Sequence, residues 1–181
     1  MSVSGIGAIG CSTWYETRKT ESSMEADFSA SVKVASGTTN IVNIDSNALF
    51  SICHVKTGES ANVYKADDYS KDNPVYLVKG IDKDGNKYEQ TVDVSKVNPH
   101  NCSYTEMLAL NVHTENKSDS NFLTMSILKD KAGSASYHEK IDYLSVAYGL
   151  MGDMTTLGNW DGYLRYDKWI NDILAFCKSI L

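Results

Sequence analysis

Pro74–Val94 reads PVYLVKGIDKDGNKYEQTVDV, and the reading of its second half decides the fold. There Tyr88, Gln90, Val92 and Val94 alternate with Lys87, Glu89, Thr91 and Asp93. Successive side chains of a strand point to opposite faces, so this order gives one mainly apolar face and one polar face, as in an antiparallel sheet wetted on one side. Pro74–Ile81 is a second short run rich in β-branched and aromatic residues. The letters between the two predict a hairpin, with a turn through Lys83 and Asp84 and with Gly85 in the left-handed conformation that a bulged loop requires.

The same turn imitates a calcium loop. Asp82, Asp84 and Asn86 match its first three ligand positions, and Asp93 falls at the twelfth. Such a loop needs glycine at its sixth position, where this chain has Lys87, and it joins helices rather than strands. The hairpin explains the letters better, which leaves Asp82, Asp84 and Asn86 as a weak cation candidate.

Working outward, TNIVNID (39–45), LFSICHV (49–55) and ANVYKA (61–66) have the same strand character and are separated by turn-forming residues. Downstream of Asn98 and Pro99 the period becomes helical. Ser103 and Glu106 form a Ser-x-x-Glu capping box ahead of EMLALNVH (106–113), a second helix is predicted through 121–131, and Gly133 stops it. Ser136 and Glu139 repeat the box, and Ile141, Leu144, Tyr148 and Met151 mark a face of a third helix. A fourth runs from about Trp160 to the end, with Tyr163, Leu164, Ile170, Ile173, Leu174, Cys177 and Leu181 as its apolar stripe. Strands followed by helices predict an α+β domain: an N-terminal antiparallel sheet of about five strands packed against about four C-terminal helices, over residues 37–181.

Residues 1–36 show no sustained period and read as an irregular, flexible arm. Gly5-Ile6-Gly7-Ala8-Ile9-Gly10 fits the dinucleotide-binding fingerprint by letter. That fingerprint needs a buried strand before the first glycine, and four residues before Gly5 are too few to supply one, so no nucleotide cofactor is expected. Trp14 and Tyr15 are the arm's adjacent aromatics, suited to docking on the domain or on a partner.

At 181 residues the chain suffices for one domain with a real core. A net charge of -6 without a clustered basic stretch disfavours nucleic acid as a partner. No stretch is long and apolar enough to span a bilayer, and Arg165, Lys168 and Asp172 interrupt the last helix. A cytoplasmic location is the default expectation, with export through an unconventional leader as an alternative. The four cysteines are spread along the chain without a Cys-x-x-Cys pair, so free thiols are expected.

Enzyme motifs are sparse. Neither the Gly-x-Ser-x-Gly elbow nor His-Glu-x-x-His occurs. Three residues remain as catalytic candidates. His100 and Cys102 are half of a zinc spacing, Cys102 beside a helix start is placed to have a stabilised thiolate, and His113 stands seven residues after Glu106. No metal or other cofactor is expected from them. Trp160, Tyr163, Tyr166 and Trp169 crowd the start of the last helix; such spacing more often builds a core, while Tyr166 and Trp169 turned outward would bind another protein.

The stretch ANVYKADDYSKDNPVYLVKGIDKDGNKYEQTVDVSKVNPHNCSYTEMLAL, clearest from Asn62 to Leu110, together with the Gly-Ile-Gly leader, resembles an uncharacterised family of small proteins of Clostridia and related Firmicutes. The resemblance implies a bacterial origin and carries over no catalytic residue. The expectation is thus a non-enzymatic interaction or structural module, its rival being an enzyme assembled from scattered residues. Oligomeric state is not written in the residues.

Overall fold

Register explains which face of the sheet is buried. The computed structural model describes residues 14–18, 45–54, 56–114 and 119–179. Its strands β1 (Trp14–Arg18), β2 (Phe50–His54), β3 (Ser60–Lys65), β4 (Val75–Ile81) and β5 (Lys87–Asp93) form an antiparallel meander in the order β1-β2-β3-β4-β5. Phe50 pairs with Val63, Val63 with Val78 and Val78 with Gln90; the next row on this face joins Ile52, Ala61, Gly80 and Tyr88. Phe50, Ile52, Ala61, Val63, Val78 and Val92 are all buried, so the alternation read in Lys87–Val94 extends over the inner face from β2 to β5.

Four helices follow: α1 (Tyr104–His113), α2 (Asp119–Lys131), α3 (Tyr143–Thr156) and α4 (Trp160–Ser179). α1 packs on β3 and β4, α2 touches the three other helices, and α3 pairs closely with α4. Phe50 stacks on Phe122 of α2, ring centroids 3.9 Å apart, tying the sheet to the second helix. A helix buried around almost its full circumference is central to a core, and in α1 Tyr104, Met107, Leu108, Ala109, Leu110 and Val112 are all enclosed. The α+β arrangement expected from the strand-then-helix order is therefore the observed one.

Local signals held where their hydrogen bonds close within a few residues. Gly85 has φ +84 at the hairpin tip, as the bulged turn requires. The Ser103 box is complete: Glu106 N donates to Ser103 Oγ, and Ser103 N to Glu106 Oε2 at 2.7 Å. Gly133, with φ +72, follows the end of α2.

Other expectations are corrected. Trp14–Arg18, inside the stretch read as an irregular arm, pairs with β2, Trp14 opposite His54 and Arg18 opposite Phe50; five residues without a turn signal gain ladder bonds from a strand more than thirty positions away. The expected strand 39–45 lies outside the described residues except for Asp45, which opens a turn. That turn folds over the outer face: Tyr64 OH donates to Asp45 Oδ2 at 2.6 Å and Asp45 N to Asn62 Oδ1 at 3.3 Å. Ser51, whose hydroxyl donates to Asp45 O, and Asn62 are buried beneath it, and Cys53 and Ser60 are also buried on the side expected to be wet, whereas Lys79 and Glu89 on the same side remain exposed and ion-paired at 2.9 Å.

Ser136 and Glu139 do not start a helix. Glu139 Oε2 accepts from Ala135 N, and Tyr137 N donates to Glu59 Oε1 at 3.1 Å across 78 positions. α3 begins instead after Asp142, whose carboxylate caps Ser145 N at 2.8 Å. Tyr148 of the expected α3 face is 52% exposed and Leu164 of the expected α4 stripe 59% exposed. Leu181 lies outside the described residues.

Candidate functional site

His100, Cys102 and His113 are held in three separate settings. His100 is exposed, and its Nδ1 lies 3.0 and 3.1 Å from the two oxygens of Asp142. Partial burial raises the Asp142 carboxyl, but the Ser145 N–H, the Ser145 hydroxyl and His100 outweigh it, leaving the group below its ordinary value. The Ser145 hydroxyl donates to Asp142 at 2.7 Å rather than to the imidazole. The arrangement thus anchors the start of α3 and fixes one edge of the His100 ring.

The expectation of a stabilised thiolate at Cys102 is corrected. Its backbone bridges Ile141 through bonds of 3.2 and 3.0 Å, which turns the side chain inward until it is 1% exposed. Burial pushes the thiol well above its usual range, and the neighbouring Glu106 charge adds to the effect. Position beside a helix start favours thiolate only where the sulfur meets the free N–H groups in a polar setting, and here Ser103 and Glu106 occupy that role. Cys53, also buried, is raised by desolvation to about 11. His113 closes the far end of α1, about 15 Å along the axis from its start for ten residues. There its Nδ1 is 3.0 Å from Tyr76 OH, and its ring meets Tyr76 and Phe176 edge-on.

At the hairpin tip the Asp82 carboxylate is turned onto its own backbone. Oδ1 accepts from Asp84 N at 2.9 Å and Asn86 N at 2.8 Å, and Oδ2 from the Asn86 amide at 3.2 Å. These bonds, led by the Asn86 N–H, hold the carboxyl below its ordinary value. The oxygens that a cation would need serve the turn, and among the described residues no cluster of three His, Cys, Asp or Glu is arranged for a metal. No helix among them is long and apolar enough to cross a membrane.

The aromatic cluster on α4 divides between inside and outside. Tyr166 and Trp169, the outward candidates, are 5% and 0% exposed and belong to the core, so they are corrected as partner-binding residues. For Trp14 and Tyr15 only the backbone of β1 is described.

What faces solvent is the corner where α3 turns into α4. Leu157 is 74% exposed, Trp160 63% and Leu164 59%. The corner is built by local bonds: Gly158, with φ +67, ends α3, Asn159 N donates back to Met154 O at 2.9 Å, and Asn159 Oδ1 accepts from Gly162 N at 2.9 Å to start α4. A Cβ at Gly162 would stand 2.6 Å from Met154 Sδ; the missing side chain lets the two helices approach, and Met154 fills the space beneath. Trp160 and Leu164, one turn apart on the same side of α4, are left outside, with Trp160 edge-on to Tyr163 at 6.0 Å.

The sequence carried a signal for this face that a count of apolar residues misses. At 100° per residue, Leu164 lies half a turn round from Ile173, so the two cannot share one stripe. Comparison with known proteins adds no relative: no family model, no curated protein and no solved structure matches this chain.

Proposed function

We propose that this chain is a non-enzymatic protein-interaction module whose binding surface is the α3–α4 corner. The observation that carries the proposal is the exposure of Trp160, at 63%, between Leu157 and Leu164 at 74% and 59%. Large apolar groups gathered on one surface lose free energy to water and regain it against a partner. Tryptophan is also the residue most enriched among the few that dominate binding energy, because it buries a large, rigid area at low entropic cost. The flanking Asp161 and Arg165 are exposed and form the polar rim such a surface needs.

A photo-crosslinking residue at Leu164, installed in cells that make the protein, tests this. A discrete protein adduct is expected there, none from the same residue at exposed Lys87 on β5, and loss of the adduct in Trp160→Ala. That substitution removes an exposed side chain and is expected to change stability by less than about 0.5 kcal/mol. Absence of an adduct, or equal labelling from Lys87, overturns the proposal.

A further inference from the structure

The exposed side of α4 carries two charged pairs at identical spacing. Lys168 and Asp172 close an ion pair, Nζ to Oδ2 2.6 Å. Asp161 and Arg165 have the same i,i+4 spacing in the more favourable order, with the acid nearer the helix N-terminus, yet among the described residues neither closes an ion pair. They follow Trp160 and Leu164 by one position each. An exposed apolar pair and an open charged pair therefore run side by side along the same two turns.

Such a surface complements itself when reversed. A two-fold axis between positions 162 and 163 sets two α4 helices antiparallel and brings each of these i positions to within one residue, about 1.5 Å of rise, of i+4 on the other copy. Trp160 of one copy then meets Leu164 of the other, Asp161 meets Arg165, and every contact is made twice. A parallel alignment would instead place Asp161 against Asp161 and Arg165 against Arg165, which like-charge repulsion disfavours. We infer that the partner of the α3–α4 corner is a second copy of this chain, paired antiparallel through Trp160, Leu164, Asp161 and Arg165; the inference rests on the interaction-module reading. Two helical turns and Leu157 make a patch below standard interface size, so affinity is expected around the micromolar range.

Sedimentation of the full chain between about 1 μM and 1 mM, spanning that range, tests the pairing. A shift toward twice the 20.0 kDa chain mass is expected. Asp161→Arg and Arg165→Asp should each weaken self-association about tenfold, and the two combined should restore it, because the swapped charges again face opposite signs. Unchanged thermal unfolding of each variant confirms that the fold is intact. Monomer mass throughout, or a combined variant no stronger than the single ones, overturns the inference. If the chain is monomeric while the Leu164 crosslinker captures a different protein in a Trp160-dependent way, only the self-pairing falls; a monomer with no adduct removes both readings.

Discussion

Ser103-Tyr104-Thr105-Glu106 and Ser136-Tyr137-His138-Glu139 share three of four letters in register, and the two tyrosines even pack on each other, centroids 4.8 Å apart. At the first quartet serine and glutamate satisfy each other's backbone, and α1 follows. At the second, Glu59 takes the Tyr137 N–H, Glu139 turns back to Ala135, and the chain stays irregular until Asp142 caps α3. A capping box needs the serine oxygen on the N–H three residues on and the glutamate on the serine's own N–H; at the second quartet Ser136 Oγ accepts from His138 N at 3.3 Å and Glu139 from Ala135 N instead, while Glu59 holds the Tyr137 N–H between them. The difference teaches that the motif starts a helix only where no tertiary bond holds its backbone in another shape. Glu59, 2% exposed, makes such a bond, since an acceptor removed from water gains more from an N–H donor than one that water can serve.

The largest effect expected on this contrast comes from Glu59→Ala, which leaves Tyr137 N–H buried without its acceptor. A loss of about 3 kcal/mol in denaturant unfolding is expected, with Glu59→Gln recovering most of it because the amide oxygen still accepts. A cost near zero for Glu59→Ala would mean that Glu59 does not hold the second quartet open. Next in size, Ser103→Ala should cost about 1 kcal/mol through loss of the α1 cap, whereas Ser136→Ala, which starts no helix and loses only a 3.3 Å bond from the exposed His138 N, should stay within about 0.5 kcal/mol. Equal costs from the same unfolding measurement would erase the distinction between the quartets.

The smallest effect concerns the residue that replaces the second box. The Asp142 carboxyl is lowered from its ordinary 3.8, so its stabilising contribution is complete above that value and disappears as pH falls through the lower folded one. Its side chain is 38% exposed, and solvent screening keeps the contribution below about 1 kcal/mol. Thermal unfolding followed from pH 5 to pH 2 should therefore fall slightly less steeply in Asp142→Asn than in the parent. Identical slopes would assign the acid sensitivity to other carboxylates, Asp93 among them, which Lys96 and Ser95 also hold low.

Much of the fold was legible. The strand runs around Phe50, Ala61, Val75 and Lys87, the Gly85 turn, the Ser103 start of α1 and the Gly133 stop of α2 all appear where period and turn chemistry put them. Less of the candidate site was. Trp160 was singled out as part of an aromatic cluster, but its outward direction and the burial of Tyr166 and Trp169 depend on which side of α4 meets α3. The helical period sets Trp160 and Leu164 half a turn from Trp169 and Ile173, but which of the two sides meets α3, with Gly162 close against Met154, is a contact between helices. The catalytic candidates failed to meet for a related reason: ten residues of α1 keep Cys102 and His113 at opposite ends, and Asp142, 42 positions on, binds His100.

By itself the sequence determined what is settled within about four residues or by a repeating period: strand alternation, the hairpin turn, helix caps and stops, and hence the α+β order. Tertiary structure alone decided the pairing of Trp14–Arg18 with β2, the capture of Tyr137 by Glu59, the inert setting of Cys102 and the exposure of the α3–α4 corner. The physical reason is one of range. A local hydrogen bond or a periodic face exists as soon as the backbone adopts its shape, whereas a buried acceptor, a neighbouring helix or an opposing strand exists only once distant segments have packed, and it then overrides the local preference it meets.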